Sequence, residues 1–292
     1  MSLETQIRQK VAVVCCCEDA ITARVTRILN DWRILRIGSD KALKTLLTTE
    51  TLDLILTGEE TSSQEAVELL RSVLDVQPET KVILRPLEGS PEDVIAAMRA
   101  GAFSYFSKTY FEAAFDEMLR HAASDAPWRD GIRVDSATPA WLRLIARCEL
   151  MTADRVIQFM SEISHLEAKD RESMGFALKE ILMNAMEYGG KFNWDRLVEV
   201  SYVCGKRMAL YRVRDPGEGF SLSELSHAAI SNPPEEPVRH LDVRDALGIR
   251  PGGFGVMLSK KLVDDLIYNE QGNDVLLIKY FDEHPTPSSK PE

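Results

Sequence analysis

Three polar clusters in this sequence have residue types and spacings that could do chemistry. In LKEILMNAMEYGG, residues 178–190, Glu180 and Asn184 stand four apart in an otherwise apolar run. On a helix those positions share one face, so the two side chains would lie one above the other. Met174, Ala177, Leu178, Ile181, Leu182 and Ala185 fall at helical spacing beside them as a core stripe. The pair therefore sits at the edge of a buried face, where an unpartnered polar group is costly. In RDPGEGF, Asp215 closes an apolar stretch and Gly217 and Gly219 follow it. A carboxylate there can accept a hydrogen bond from an exocyclic amine, and the glycines let backbone approach a flat ligand. DPG is equally a good solvated turn. In RPGGFGVMLSKKL, Gly252, Gly253 and Gly255 run into an amphipathic helix whose first amides would be free, a natural site for phosphate.

These clusters lie in the second half of a 292-residue chain, long enough for two domains. Residues 1–125 alternate strand-like runs (VAVVCCC, RILRIG, LDLILT, KVILRP, FSYFS) with helical stretches. That alternation predicts a parallel sheet covered on both faces, an α/β doubly wound domain of flavodoxin-like order. Residues 126–137 read as a linker rich in Pro, Gly and Asp. From 138 to 284 the pattern predicts an α+β domain: a strand, two long helices, a hairpin, a Pro-containing segment, the helix after the glycines and a second hairpin. Residues 285–292 read as a disordered tail.

A net charge of −11 argues against nucleic acid, whose phosphates call for a basic footprint. No apolar run approaches the roughly 18 residues of a membrane span, and the polar start is no signal peptide, so a cytoplasmic protein without a membrane partner is expected. Of the five cysteines, Cys15, Cys16 and Cys17 are consecutive. On a strand they would point to alternating faces, away from any common metal.

The order of the clusters, an ExxxN helix, D-x-G-x-G after a strand, then GGxG opening a helix, resembles the GHKL ATPase superfamily over residues 138–283. Its Bergerat-type α/β sandwich binds ATP. The resemblance implies Glu180 as general base and Asn184 as the Mg²⁺ ligand through its amide oxygen. It implies Asp215 as reader of the adenine amino group, with Gly217 and Gly219 shaping the purine pocket. Gly252, Gly253 and Gly255 would cradle phosphate and hinge a lid between Phe220 and Pro251. The branch it is most similar to is the anti-sigma factor serine kinases, with Tyr188 where their NAxEHG motif has histidine. That branch implies a STAS-type anti-anti-sigma protein or a sigma factor as partner, and a homodimer.

The first domain resembles response-regulator receivers, from GSPEDVIAAMRAGAFSYFSK to the family's lysine at Lys108, with Tyr105 at the switching aromatic. Its acids do not carry over. Cys15 and Cys16 replace the acid pair, Gly58 stands at the phospho-accepting aspartate, Pro86 at the hydroxyl position and Thr109 at the usual proline. Glu18, Asp19, Glu59 and Glu60 are close by but out of register. This predicts a pseudo-receiver fused to an Mg-ATP-dependent protein serine kinase. Two other readings stay open: a non-catalytic ATP-binding switch, and a histidine-kinase-related signalling protein. The second would need a helical hairpin carrying a histidine, for which residues 126–137 leave no room.

Overall fold

The computed structural model describes residues 8–107, 112–219, 236, 246 and 254–281. The chain divides into two compact units, Met1–Arg129 and Asp130–Glu292.

In the first unit, strands β1 (Val11–Cys15), β2 (Arg33–Ile37), β3 (Leu54–Thr57), β4 (Lys81–Leu84) and β5 (Ser104–Tyr105) alternate with helices. These are α1 (Asp19–Ile28), α2 (Asp40–Leu47), α3 (Ser63–Val76), α4 (Pro91–Arg99) and α5 (Glu112–Ala123). All strand pairs are parallel, in the order β2-β1-β3-β4-β5, the flavodoxin-like arrangement. Every residue of β1, β3 and β4 is buried, which is why these strands read as unbroken apolar runs. Capping boxes start α3 (Ser62 with Glu65) and α4 (Ser90 with Asp93, Pro91 at the first turn), satisfying amides that would otherwise be orphaned.

The second unit is one antiparallel sheet with helices on it. Its strands are β6 (Ile132–Thr138), β7 (Trp141–Arg147), β8 (Leu197–Cys204), β9 (Met208–Arg214), β10 (Asp265–Tyr268) and β11 (Asp274–Tyr280), in the order β10-β11-β9-β8-β7-β6. Helices α6 (Leu150–Ile163), α7 (Ala168–Asn184) and α8 (Gly255–Leu262) complete it. Burial alternates along β7, β9 and β8 as far as Val203, so Leu144, Val200 and Tyr211 belong to an inner face. The predicted stripe of α7, Met174 to Ala185, is buried throughout.

Three expectations change. The stretch read as a linker contains β6, and the break between units falls after Arg129. Strand β6 is an edge strand with a register shift between Val134 and Ser136, so its apolar residues fall out of a two-residue period. The second of the two long helices expected from the sequence changes type at Asn184, becoming a π turn over Ala185–Gly189 in which the Gly190 N–H donates to the Ala185 carbonyl at 2.8 Å. Finally, β1 ends at Cys15. Cys16 has a left-handed φ of 53°, which breaks strand alternation and brings its Sγ to 3.8 Å from that of Cys15. Among the described residues, no helix is long and apolar enough to cross a membrane. Lys108, Thr109, Gly252, Gly253, residues 285–292 and nearly all of the expected lid lie outside the described residues.

Candidate functional site

Helix α7 and its π turn form the rod on which the site is built. Glu180 and Asn184 are both half-buried, one turn apart. Neither side chain makes a hydrogen bond or ion pair with another described residue. Glu180 faces the start of α8: a Cβ at Gly255, the first residue of that helix, would collide with Glu180 Oε2. Among the described residues, no side chain caps the first turn of α8. A carboxylate and a helix N-terminus are thereby brought to one place, with glycine permitting the approach.

Toward the end of the rod, Asp215 packs on Gly189. A Cβ at Gly189 would strike the Asp215 carboxylate, and one at Gly217 would come within 2.8 Å of both Asp215 Oδ1 and Gly189 Cα. Helical rise separates Glu180 from Gly189 by roughly 13 Å. Asp215 Oδ1 accepts from the Gly217 N–H at 2.7 Å, while its other oxygen has no partner among the described residues. Burial raises the Asp215 pKa above the ordinary aspartate value. The Gly217 hydrogen bond opposes that rise and the charge of Asp274 adds to it. Beneath the pair, Gly190 packs on Cys148, whose thiol is pushed up to about 11 by burial and by the Asp215 charge. Arg196 donates to the Gly189 carbonyl at 3.0 Å. Tyr268 is raised as well, by burial and then by Asp215.

Residues 146–279 match the family model described as histidine kinase-like ATPase domain. The second unit carries a histidine kinase-like ATPase domain. In that domain the structure brings Glu180 to Gly255 and Asp215 to Gly217, two meetings the sequence reading anticipated only as motifs. Gly217 and Gly219 are needed for a reason that reading did not give. Gly217 makes room for Asp215 and Gly189, and Gly219, with φ 82°, lies against the Gln271 carbonyl. Gly189, Gly190, Cys148 and Arg196 were missed. The GG pair just after the ExxxN helix was the one available signal, since two adjacent glycines at a helix end mark a close approach. Tyr188 is 48% exposed.

The chain is 28% identical over 113 residues to the serine-protein kinase RsbW of Oceanobacillus iheyensis, covering 38% of this chain and 66% of that protein. It is 29% identical over 117 residues to the transcriptional regulatory protein GlrR of Escherichia coli, covering 38% of this chain and 26% of that one. It thus spans about a quarter of the one relative and just under two thirds of the other. A response regulator from Thermotoga maritima superposes with a TM-score of 0.35 at 18% identity, over 39% of this chain and 98% of that structure.

At the strand ends of the parallel sheet, the receiver-like unit is arranged otherwise. Gly58 directly follows β3, and the Cys16 carbonyl occupies the space a Cβ there would need. Buried Arg85, following β4, donates to Glu59 Oε1 at 2.8 Å, and its backbone N–H donates to Thr57 Oγ1 at 2.9 Å. Burial pushes the Cys17 thiol up to about 12. Tyr105 is wholly buried, its hydroxyl 3.3 Å from Ser63 Oγ.

Proposed function

We infer that this protein is an Mg-ATP-dependent protein serine kinase of anti-sigma type, cytoplasmic, with a regulatory pseudo-receiver at its N-terminus. The observation that carries this reading is the approach of Glu180 to the first residue of α8, a base beside a helix end of the kind that suits phosphate. The donors present suit the ligand. Asn184 offers the hard amide oxygen that Mg²⁺ prefers, and Asp215 keeps one carboxylate oxygen for an amine. When bound, Mg-ATP would supply the phosphoryl group, its charge partly neutralised by the metal.

The chain's own residues then divide the work. Asp215 would accept from the adenine amino group, and Asn184 would hold the metal. Gly252, Gly253 and Gly255 would cradle phosphate. Glu180 would take the proton from a serine hydroxyl, which is a weak nucleophile at neutral pH without a base. The acceptor would be a serine of a STAS-type anti-anti-sigma protein, in alternation with a sigma factor, and the working form a homodimer. The similarity to the serine-protein kinase RsbW supports this partner class. In the first unit, Gly58 offers no carboxyl to phosphorylate, which supports a regulatory rather than phospho-accepting role.

The deciding experiment is calorimetric titration of the full chain with Mg-ATP, followed by label transfer from γ-labelled ATP to a co-encoded STAS-type protein. Binding together with transfer that Glu180→Gln abolishes is expected. Binding without transfer would instead favour a nucleotide-gated binding switch. Absence of binding would overturn the reading altogether.

A further inference from the structure

The turn joining β10 to β11, residues 269–273, makes more bonds than a hairpin needs. Asn269 organises it. Its Oδ1 accepts from the N–H groups of Gly272 (2.8 Å), Asn273 (3.1 Å) and Asp274 (3.1 Å). Such bonds are ordinary turn chemistry. Its Nδ2 does something else: it donates to Asn273 Oδ1 at 3.0 Å, which fixes which way the Asn273 amide faces. The Asn273 Nδ2 is left to donate to the Gly217 carbonyl at 3.1 Å. Gln271 Nε2 donates to the Glu218 carbonyl at 3.1 Å, and the Asp215 N–H donates to the Asn273 carbonyl at 3.0 Å. Gly219 abuts the Gln271 carbonyl.

The two side-chain bonds, from Asn273 and Gln271, span more than 50 residues of sequence and add nothing to the turn itself. Their effect falls on residues 215–219. Gly217 is the relay: Asn273 holds its carbonyl while its N–H holds one oxygen of Asp215. We propose that the β10–β11 turn is the positioning element of the nucleotide's base site, with Asn273, oriented by Asn269, acting through Gly217 to aim the Asp215 carboxylate, and Gln271 holding the adjoining peptide. The inference rests on the reading that Asp215 receives the adenine amino group. It adds residues to that site which touch no nucleotide.

The test is the affinity of the full chain for Mg-ATP as a function of pH, measured for wild type, Asn273→Ala, Gln271→Ala and Asp215→Asn, with the ligand-free melting temperature of each. The groups that feel the Asp215 carboxylate are Asp274 on β11, Tyr268 on β10 and Cys148 after β7, and all three stay in place in these variants. Asn273→Ala is expected to weaken Mg-ATP about tenfold, the size of one hydrogen bond from the adenine amine to an Asp215 carboxylate that is no longer aimed. The acid limit of binding should move to higher pH, because the Gly217 bond that favours the ionised carboxylate is loosened. Gln271 is exposed, so Gln271→Ala folds, and about a threefold loss is expected. Melting temperatures should move by no more than about 3 °C. Affinities within twofold of wild type, or a loss with an unmoved acid limit, would overturn the proposal while Asp215→Asn still weakened binding. If wild type binds no ATP, or Asp215→Asn binds as wild type does, the base-site reading fails and the positioning role with it.

Discussion

The two units treat the polar groups at the places where their chemistry was expected in different ways. In the first, the groups beside Gly58 are engaged within the fold. The Cys16 carbonyl fills the space beside Gly58, Arg85 pairs with Glu59, and Thr57 accepts from the Arg85 backbone. In the second, Glu180, Asn184 and one oxygen of Asp215 are half-buried and lack partners among the described residues. Desolvated groups left without partners cost stability, whereas groups paired inside the fold do not.

The sharpest test of that contrast is the base. Glu180→Gln should slow phosphoryl transfer about 1,000-fold, roughly 4 kcal/mol of barrier, while Mg-ATP affinity stays within twofold. Single-turnover transfer with parallel calorimetry would show it, and equal loss of both would erase the distinction between base and binding residue. Next in size is an attempt to reopen the closed side. Gly58→Asp should destabilise the first unit by about 3 kcal/mol, because its side chain meets the Cys16 backbone rather than a flexible chain end. Urea unfolding followed through the fluorescence of buried Trp32 and Trp128 reads this directly. A stable Gly58→Asp protein that acetyl phosphate labels would break the comparison.

Asp215→Asn comes third, at about 2 kcal/mol of Mg-ATP binding or roughly thirtyfold, the value of a hydrogen bond to a charged group. The smallest effect is in the pH dependence. Because the Asp215 pKa is raised in the fold, its protonated form favours folding below the unfolded value, and that advantage is lost as pH rises through the folded value. At neutral pH the ionised carboxylate therefore costs stability. Ligand-free Asp215→Asn should melt higher than wild type there, since asparagine can still accept from Gly217. Mg-ATP affinity runs the other way, falling as the pH drops through the raised Asp215 value, and Asp215→Asn should flatten that profile. A variant that melts lower at neutral pH would show that the carboxylate is satisfied rather than strained.

Much of this was legible in the sequence because it is periodic. Unbroken apolar runs alternating with amphipathic stretches specify a parallel sheet with helices on both faces, and the stripe from Met174 to Ala185 specifies a buried helix edge bearing Glu180 and Asn184. Those patterns depend on local periods of about two and 3.6 residues, which one chain segment contains by itself. What escaped was everything set by a partner distant in sequence. Strand β6 looked like a linker because an edge strand with a bulge loses its period. The left-handed Cys16 could not be read from three like residues in a row. The packing of Gly189 on Asp215, of Gly255 on Glu180 and of the β10–β11 turn on residues 215–219 joins segments that only folding brings together. The sequence by itself determined which side chains could do chemistry. The tertiary structure decided which of them were left unpaired to do it, because whether a polar group is satisfied depends on its neighbours in space rather than in the chain.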